Sequence, residues 1–186
     1  MNAFKDPQFA IERLELLAET VEDGRLRHMC LGVIRHPQFA TGFGSRLVSS
    51  HPHHNYPGGL AVHTCEVAHT AVAMEGETWV SLKPVNQDVL ITAAVFHDFM
   101  KIRDYDEAGK ATSYQELIRH VSGSYAAFEK QASFCGIEDD LRDQIGHCIL
   151  AHHGRKEWGS PIEPQTIEAQ MLHFADMLSM GYGAGR

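Results

Sequence analysis

Residues 88–102 read DVLITAAVFHDFMKI. Eight apolar or small residues run into a histidine and an aspartate, and then Phe99 and Met100 resume the apolar character. A helix ending in Ala93, Ala94, Val95 and Phe96 reads as a buried element, and burying an imidazole and a carboxylate at its end is costly unless something binds them. Any fold for this chain must therefore bring a partner to His97 and Asp98, and a metal ion is one that an imidazole and a carboxylate share.

The remaining pattern is helical. DPQFAIERLELLAETVED opens with Asp6 as an N-cap and Pro7 at the first helical position, and Gly24 is read as its end. A second helix covers RLRHMCLGVIRH and stops at Pro37. TGFGSRLVSSHPHHNYPGG reads as an ordered loop, after which LAVHTCEVAHTAVAM resumes helix. NQDVLITAAVFHDFM follows Pro84 with Asn86 or Asp88 as cap. DYDEAGKATS is a polar connection. YQELIRHVSGSYAAFEKQASFCG and EDDLRDQIGHCILAHHG are two more helices, KEWGSPIEP a loop, and QTIEAQMLHFADMLSM the last helix. No segment has the alternation of a strand, which predicts an all-α bundle of six or seven helices.

The 186 residues suffice for one domain with a real core, and 44% hydrophobic against 22% charged residues is a globular balance. A net charge of -8 lacks the positive field that long nucleic acids require, so a small anionic substrate would need a metal or a few placed cations. Cys30, Cys65, Cys135 and Cys148 form no C-x-x-C pair and resemble no disulfide framework. With no apolar leader and no run long enough to cross a bilayer, the expected location is cytoplasmic, without membrane attachment.

Thirteen histidines are the unusual count. His63, His97-Asp98, His120, His152-His153 and Asp176 each fall on a different expected helix, in the order H…HD…H…HH…D. Ligands for an ion in a bundle core must converge from several helices. Imidazole with carboxylate suits Zn, Fe, Mn or Ni and does not choose among them.

The motifs HHNYPGGLAVHT, FHDFMKI, ELIRHVSGS, ILAHHGRKEWGSP and EAQMLHFADML, in that order, resemble the HD-domain superfamily of metal-dependent phosphohydrolases, and within it the HD module of the bacterial 3′–5′ exoribonuclease family. The resemblance implies a single HD domain over residues 1–186, its core at 42–180. It implies His63, His97, Asp98 and Asp176 as ligands of one metal. His120 and His152 would complete a second site, with Asp98 bridging. His153 would be a further ligand or a hydrogen-bond donor to substrate. Lys101 stands where related phosphodiesterases place a lysine facing phosphate. Departures are Met100 before that lysine and Ser179 in place of an acidic residue. The 5′-nucleotidase subgroup, which has a glutamate at the position of Lys101, is disfavoured. The exoribonucleases carry an oligonucleotide-binding domain ahead of the HD module, for which no room is expected here.

The resemblance implies hydrolysis of a phosphodiester or phosphoanhydride in a nucleotide or short oligonucleotide. A bridging water acidified by one or two divalent ions would attack phosphorus. Lys101, with Arg103 or Arg155, would offset charge on phosphate, and His54 would line the cleft. Asp104, His54 and His153 are the candidates for the acid that protonates the leaving group. Trp158 would stack on a base or wedge its loop onto the bundle. The alternatives are an exoribonuclease acting with a separate RNA-binding partner, and a non-catalytic module binding metal and nucleotide. Self-association is possible.

Overall fold

The computed structural model describes residues 6–42, 54–77, 84–106 and 110–181. The elements are α1 (Pro7–Ala18), α2 (Gly24–Ile34), α3 (Pro37–Thr41), α4 (Gly59–Glu77), α5 (Gln87–Phe96), α6 (Ser113–Leu117), α7 (His120–Cys135), α8 (Asp139–Ala151) and α9 (Ile167–Ser179). Two short 3-10 turns, Phe99–Arg103 and Lys156–Trp158, follow α5 and α8. Among the described residues the extended structure is one isolated antiparallel bridge, Tyr105 to Ala111. No helix among them is long and apolar enough to cross a membrane.

The class is the expected one, and seven of the helices have ten or more residues. The two short helices arise where breaks fall differently from the reading. Gly24 begins α2, because Asp23 caps it by accepting from the Arg25 amide at 2.8 Å. Pro37 opens α3 at its first turn, where a missing N–H costs nothing. The helix expected across 114–136 is broken: the amides of Ile118 and Arg119 both return to the Tyr114 carbonyl, Arg119 takes φ 64°, and α7 starts afresh at His120. Gly123 makes room for this reversal, since a Cβ there would collide with the Tyr114 hydroxyl. Of the long loop expected between α3 and α4, residues 43–53, including His51 and His53, lie outside the described residues.

α5 is the axis of the bundle. Val89 to Phe96 are all buried, and α1, α2, α4, α7, α8 and α9 pack around them. Phe96 meets Phe99 and Phe128 edge-on at 6.3 and 5.5 Å, locking α5 to α7. Asn86 caps α5 through the Val89 amide, while Asp88 instead accepts from the amides of Glu22 and Asp23, both at 2.8 Å. The apolar run thus enters the core with its start pinned to α2 and its polar end surrounded by four other helices, α4, α7, α8 and α9.

Candidate metal centre

Helix ends deliver most of the site. His97 is the C-cap of α5 and Asp98 the next residue, His120 is the first residue of α7, and His152 and His153 follow the end of α8. His63 and Asp176 come from within α4 and α9, whose close packing brings them level with the end of α5. His63, His97, Asp98, His152 and Asp176 are all buried.

The donor atoms gather into two groups, His63, His97, Asp98 and Asp176, and His120, His152 and His153, each within 4.8 Å of one another. In the first, His63 Nε2 lies 3.2 Å from Asp98 Oδ2 and 3.1 Å from Asp176 Oδ1. His97 Nε2 lies 3.5 Å from the same Asp98 oxygen. Asp98 turns its other oxygen to the second group, with Oδ1 at 3.3 Å from His120 Nε2 and 3.7 Å from His152 Nε2. One carboxylate therefore stands between the two groups.

The far side of each ring identifies which nitrogen carries the proton. His97 Nδ1 and His152 Nδ1 each donate at 2.7 Å to the carbonyl three residues back, of Ala94 and Ile149. His153 Nδ1 donates to the Trp158 carbonyl at 3.0 Å, and His120 Nδ1 to Asp104 Oδ2 at 3.2 Å. His63 Nδ1 donates at 2.9 Å to Ser179 Oγ, whose own proton goes to Glu66 Oε2 at 2.7 Å. All five Nε2 atoms consequently point lone pairs into the site, the arrangement that orients metal-bound imidazoles.

Those lone pairs need a cation. His63 Nε2 and His97 Nε2 approach to 3.3 Å, as do His120 Nε2 and His153 Nε2. Buried Asp98 Oδ1 and His152 Nε2 have no hydrogen-bond partner among the described residues. Unpaired buried acceptors are destabilising, whereas two imidazole-carboxylate groups match a divalent ion. The residues present fit the metal that the HD resemblance implies.

The electrostatics of the metal-free chain point the same way. Burial opposes a charge on His63, but Asp176 and Asp98 outweigh it and lift the imidazole to about 9, so a proton takes the cation's place. Asp98 is driven well below the carboxylate range despite its burial by Lys101, His97 and His120, and Asp176 is lowered chiefly by His63 against its burial. Burial, with His153 and His97, holds His152 far below the usual imidazole range; burial and His120 press His153 to about 4. His152 and His153 therefore stay neutral and available.

The other expected site residues are distributed around these groups. Lys101 Nζ contacts Asp98 Oδ2 at 2.5 Å, and Asp98 raises its pKa against the effect of burial. Asp104, read as a candidate acid, is buried and holds His120. His54, at φ 54°, pairs with Glu66 at 3.0 Å, its ring 5.4 Å from that of His63. Arg103 lies over the Tyr114 ring at 4.1 Å, and Arg155 over the Trp158 ring at 4.9 Å. His153 joins the donor group beside His152, so the pair need not be chosen between on geometric grounds. Sequence reasoning missed Glu66 and took Ser179 only as a departure; nothing local marks a serine and a glutamate 113 residues apart as partners.

Residues 60–181, more than half of the chain, match the HD domain family model. The chain belongs to the HD-domain family. This HD domain is 31% identical over 151 residues to the 3′-5′ exoribonuclease YhaM of Bacillus pumilus (strain SAFR-032), covering 78% of this chain and 46% of that protein. It is 33% identical over 129 residues to the YhaM of Bacillus subtilis (strain 168), covering 68% of this chain and 40% of that protein. The YhaM of Geobacillus sp. (strain WCH70) is likewise 33% identical over 129 residues, with 68% and 38% covered. The HD domain spans less than half the length of these relatives. No solved structure matches.

Proposed function

We propose that this chain is a metal-dependent phosphohydrolase acting on a phosphodiester of a nucleotide or short oligonucleotide. The observation that carries the reading is the position of Asp98, which offers one carboxylate oxygen to each of two donor groups. His63, His97, Asp98 and Asp176 would hold one divalent ion, and Asp98, His120, His152 and His153 a second; Mn, Fe, Ni and Zn all suit these donors. When bound, such ions polarise phosphate oxygens and acidify a water.

The chain's own residues supply orientation and charge. The acceptors behind the five imidazoles keep their Nε2 atoms turned inward before any ligand arrives, so little reorganisation is left for the reaction. Lys101 balances Asp98 in the resting site. It also borders a cavity of about 110 Å³ with Gln38, Thr41 and Tyr105, from which its ammonium can meet a phosphate oxygen. His153 and Asp104 are polar groups of this centre with Trp158 and His120 as their partners, and neither is assigned the proton transfer to the leaving group.

The test is hydrolysis of bis(4-nitrophenyl) phosphate with added Mn²⁺ or Ni²⁺. Turnover that disappears in folded Asp98→Ala supports the reading; absence of turnover with any divalent metal across diesters, nucleotides and short RNA overturns it. The name shared by the YhaM relatives favours one further reading, a 3′–5′ exoribonuclease, with RNA held by a separate partner because the chain carries a net charge of -8. A ladder of products on single-stranded RNA would distinguish it from action on dinucleotides alone.

A further inference from the structure

A cavity of about 230 Å³ opens beside the metal centre, lined by His153, Trp158, Asp176, Met177 and Met180. His153 and Asp176 belong to the two donor groups, so the cavity is continuous with both. Its other walls are a flat indole and two polarisable thioethers, groups that pack well on an aromatic ring. Trp158 is 40% exposed and held in register with the centre, because its carbonyl is the acceptor for His153 Nδ1. Arg155 sets a guanidinium 4.9 Å from the indole ring, at the edge of the same surface.

From this geometry we infer that the cavity is the base subsite of the substrate, a nucleobase slot in which Trp158 and the Met177–Met180 thioethers enclose the ring while the attached phosphate lies on the metal donors. The assignment rests on the phosphodiesterase reading above and narrows it to nucleoside phosphates. The volume is below the roughly 300 Å³ at which pockets begin to take a whole drug-sized ligand. It suits one ring system, leaving ribose and phosphate outside. An apolar slot ending at a cation site selects a ligand with a flat ring at one end and a phosphate at the other. Stacking is tolerant of base identity, so the slot distinguishes nucleotides from sugar phosphates rather than one base from another.

The experiment uses Trp79→Phe protein, in which Trp158 is the sole tryptophan. Its fluorescence is titrated with adenosine 5′-monophosphate and with ribose 5-phosphate at fixed divalent metal. Saturable quenching by the nucleotide and none by the sugar phosphate is expected. In parallel, Trp158→Leu should raise the KM for a dinucleotide roughly 10-fold or more, the scale of one lost stacking contact. Equal responses to both ligands, or an unchanged KM in Trp158→Leu, overturn the slot. The fluorescence arm requires no turnover and no folded Trp158 variant. Nucleotide-specific quenching in a protein that hydrolyses nothing would uphold the slot and overturn the phosphohydrolase reading, so the two failures are separable.

Discussion

Ser179 Oγ stands 2.9 Å from His63 Nδ1 and donates its own proton to Glu66 Oε2 at 2.7 Å. A hydroxyl on α9 thus holds an imidazole on α4 with Nε2 toward Asp98 and Asp176, and it hands the orientation back to a carboxylate on α4. The serine gives the imidazole an indirect carboxylate partner, one hydroxyl away.

Removing that hydroxyl should loosen the ring and leave Glu66 with His54 as its remaining partner. Ser179→Ala is expected to weaken divalent-metal affinity by about 10- to 100-fold, the range for partners behind metal-bound histidines. Ser179→Thr, which keeps the hydroxyl, should restore most of it. Metal titration against a competing chelator reads the difference; equal affinities for the serine and alanine proteins would remove the role assigned to Ser179.

Asp98→Asn keeps the shape of the side chain and removes the charge shared by both donor groups. Bound metal should fall at both, and hydrolysis should drop at least about 1000-fold, since several kcal/mol of charge stabilisation is lost. The same substitution leaves the Lys101 ammonium without its buried carboxylate, for which a loss of about 3 kcal/mol in stability is expected. Metal counting on the purified protein, with thermal unfolding, checks both.

In metal-free protein two imidazole shifts, those of His63 and His153, act in opposite directions. His63, raised to about 9, contributes stability that is complete below about pH 6.5 and is lost as pH rises through 9. His153, depressed to about 4, contributes stability present above about pH 6.5 and lost as pH falls through 4. Stability should therefore peak near pH 6.5 and decline on either side, by at most about 1.4 kcal/mol per pH unit for each proton. Divalent metal replaces the His63 proton, so it should flatten the alkaline limb. Melting curves across pH 4–10, with and without metal, would show a monotonic profile if the imidazoles do not lie in this environment.

Two positive-φ positions flank the site, and substitutions there should differ in sign. Gly154 has φ 82°, and a Cβ would meet the His173 ring that hydrogen-bonds the His152 carbonyl at 2.8 Å. Gly154→Ala should cost about 1–3 kcal/mol. Arg119, at φ 64° and ψ 155°, occupies a region that is nearly restricted to glycine. Arg119→Gly should stabilise the chain by about 1 kcal/mol after the extra entropy of the unfolded glycine is counted. Chemical denaturation of the two variants would decide it.

Local pattern by itself determined the helical class, the burial of the run ending at Phe96, the cap at Asp6, and the short roster of histidines and aspartates that could meet. These are properties of neighbours along the chain: a period of 3.6 residues and a side chain within reach of its own helix end leave their mark in adjacent letters. Only the tertiary structure decided that Asp98 divides its oxygens between two groups, that His152 and His153 share one of them, that Asp104 holds His120, and that Ser179 and Glu66 orient His63. It also decided that the chain reverses at Arg119, where packing of Tyr114 on Gly123 prevails over helical periodicity. Such pairings join residues as far as 116 positions apart. They are set by which helices pack against α5 and by where each helix ends, and no local spacing encodes a distance between two side chains that meet across a core.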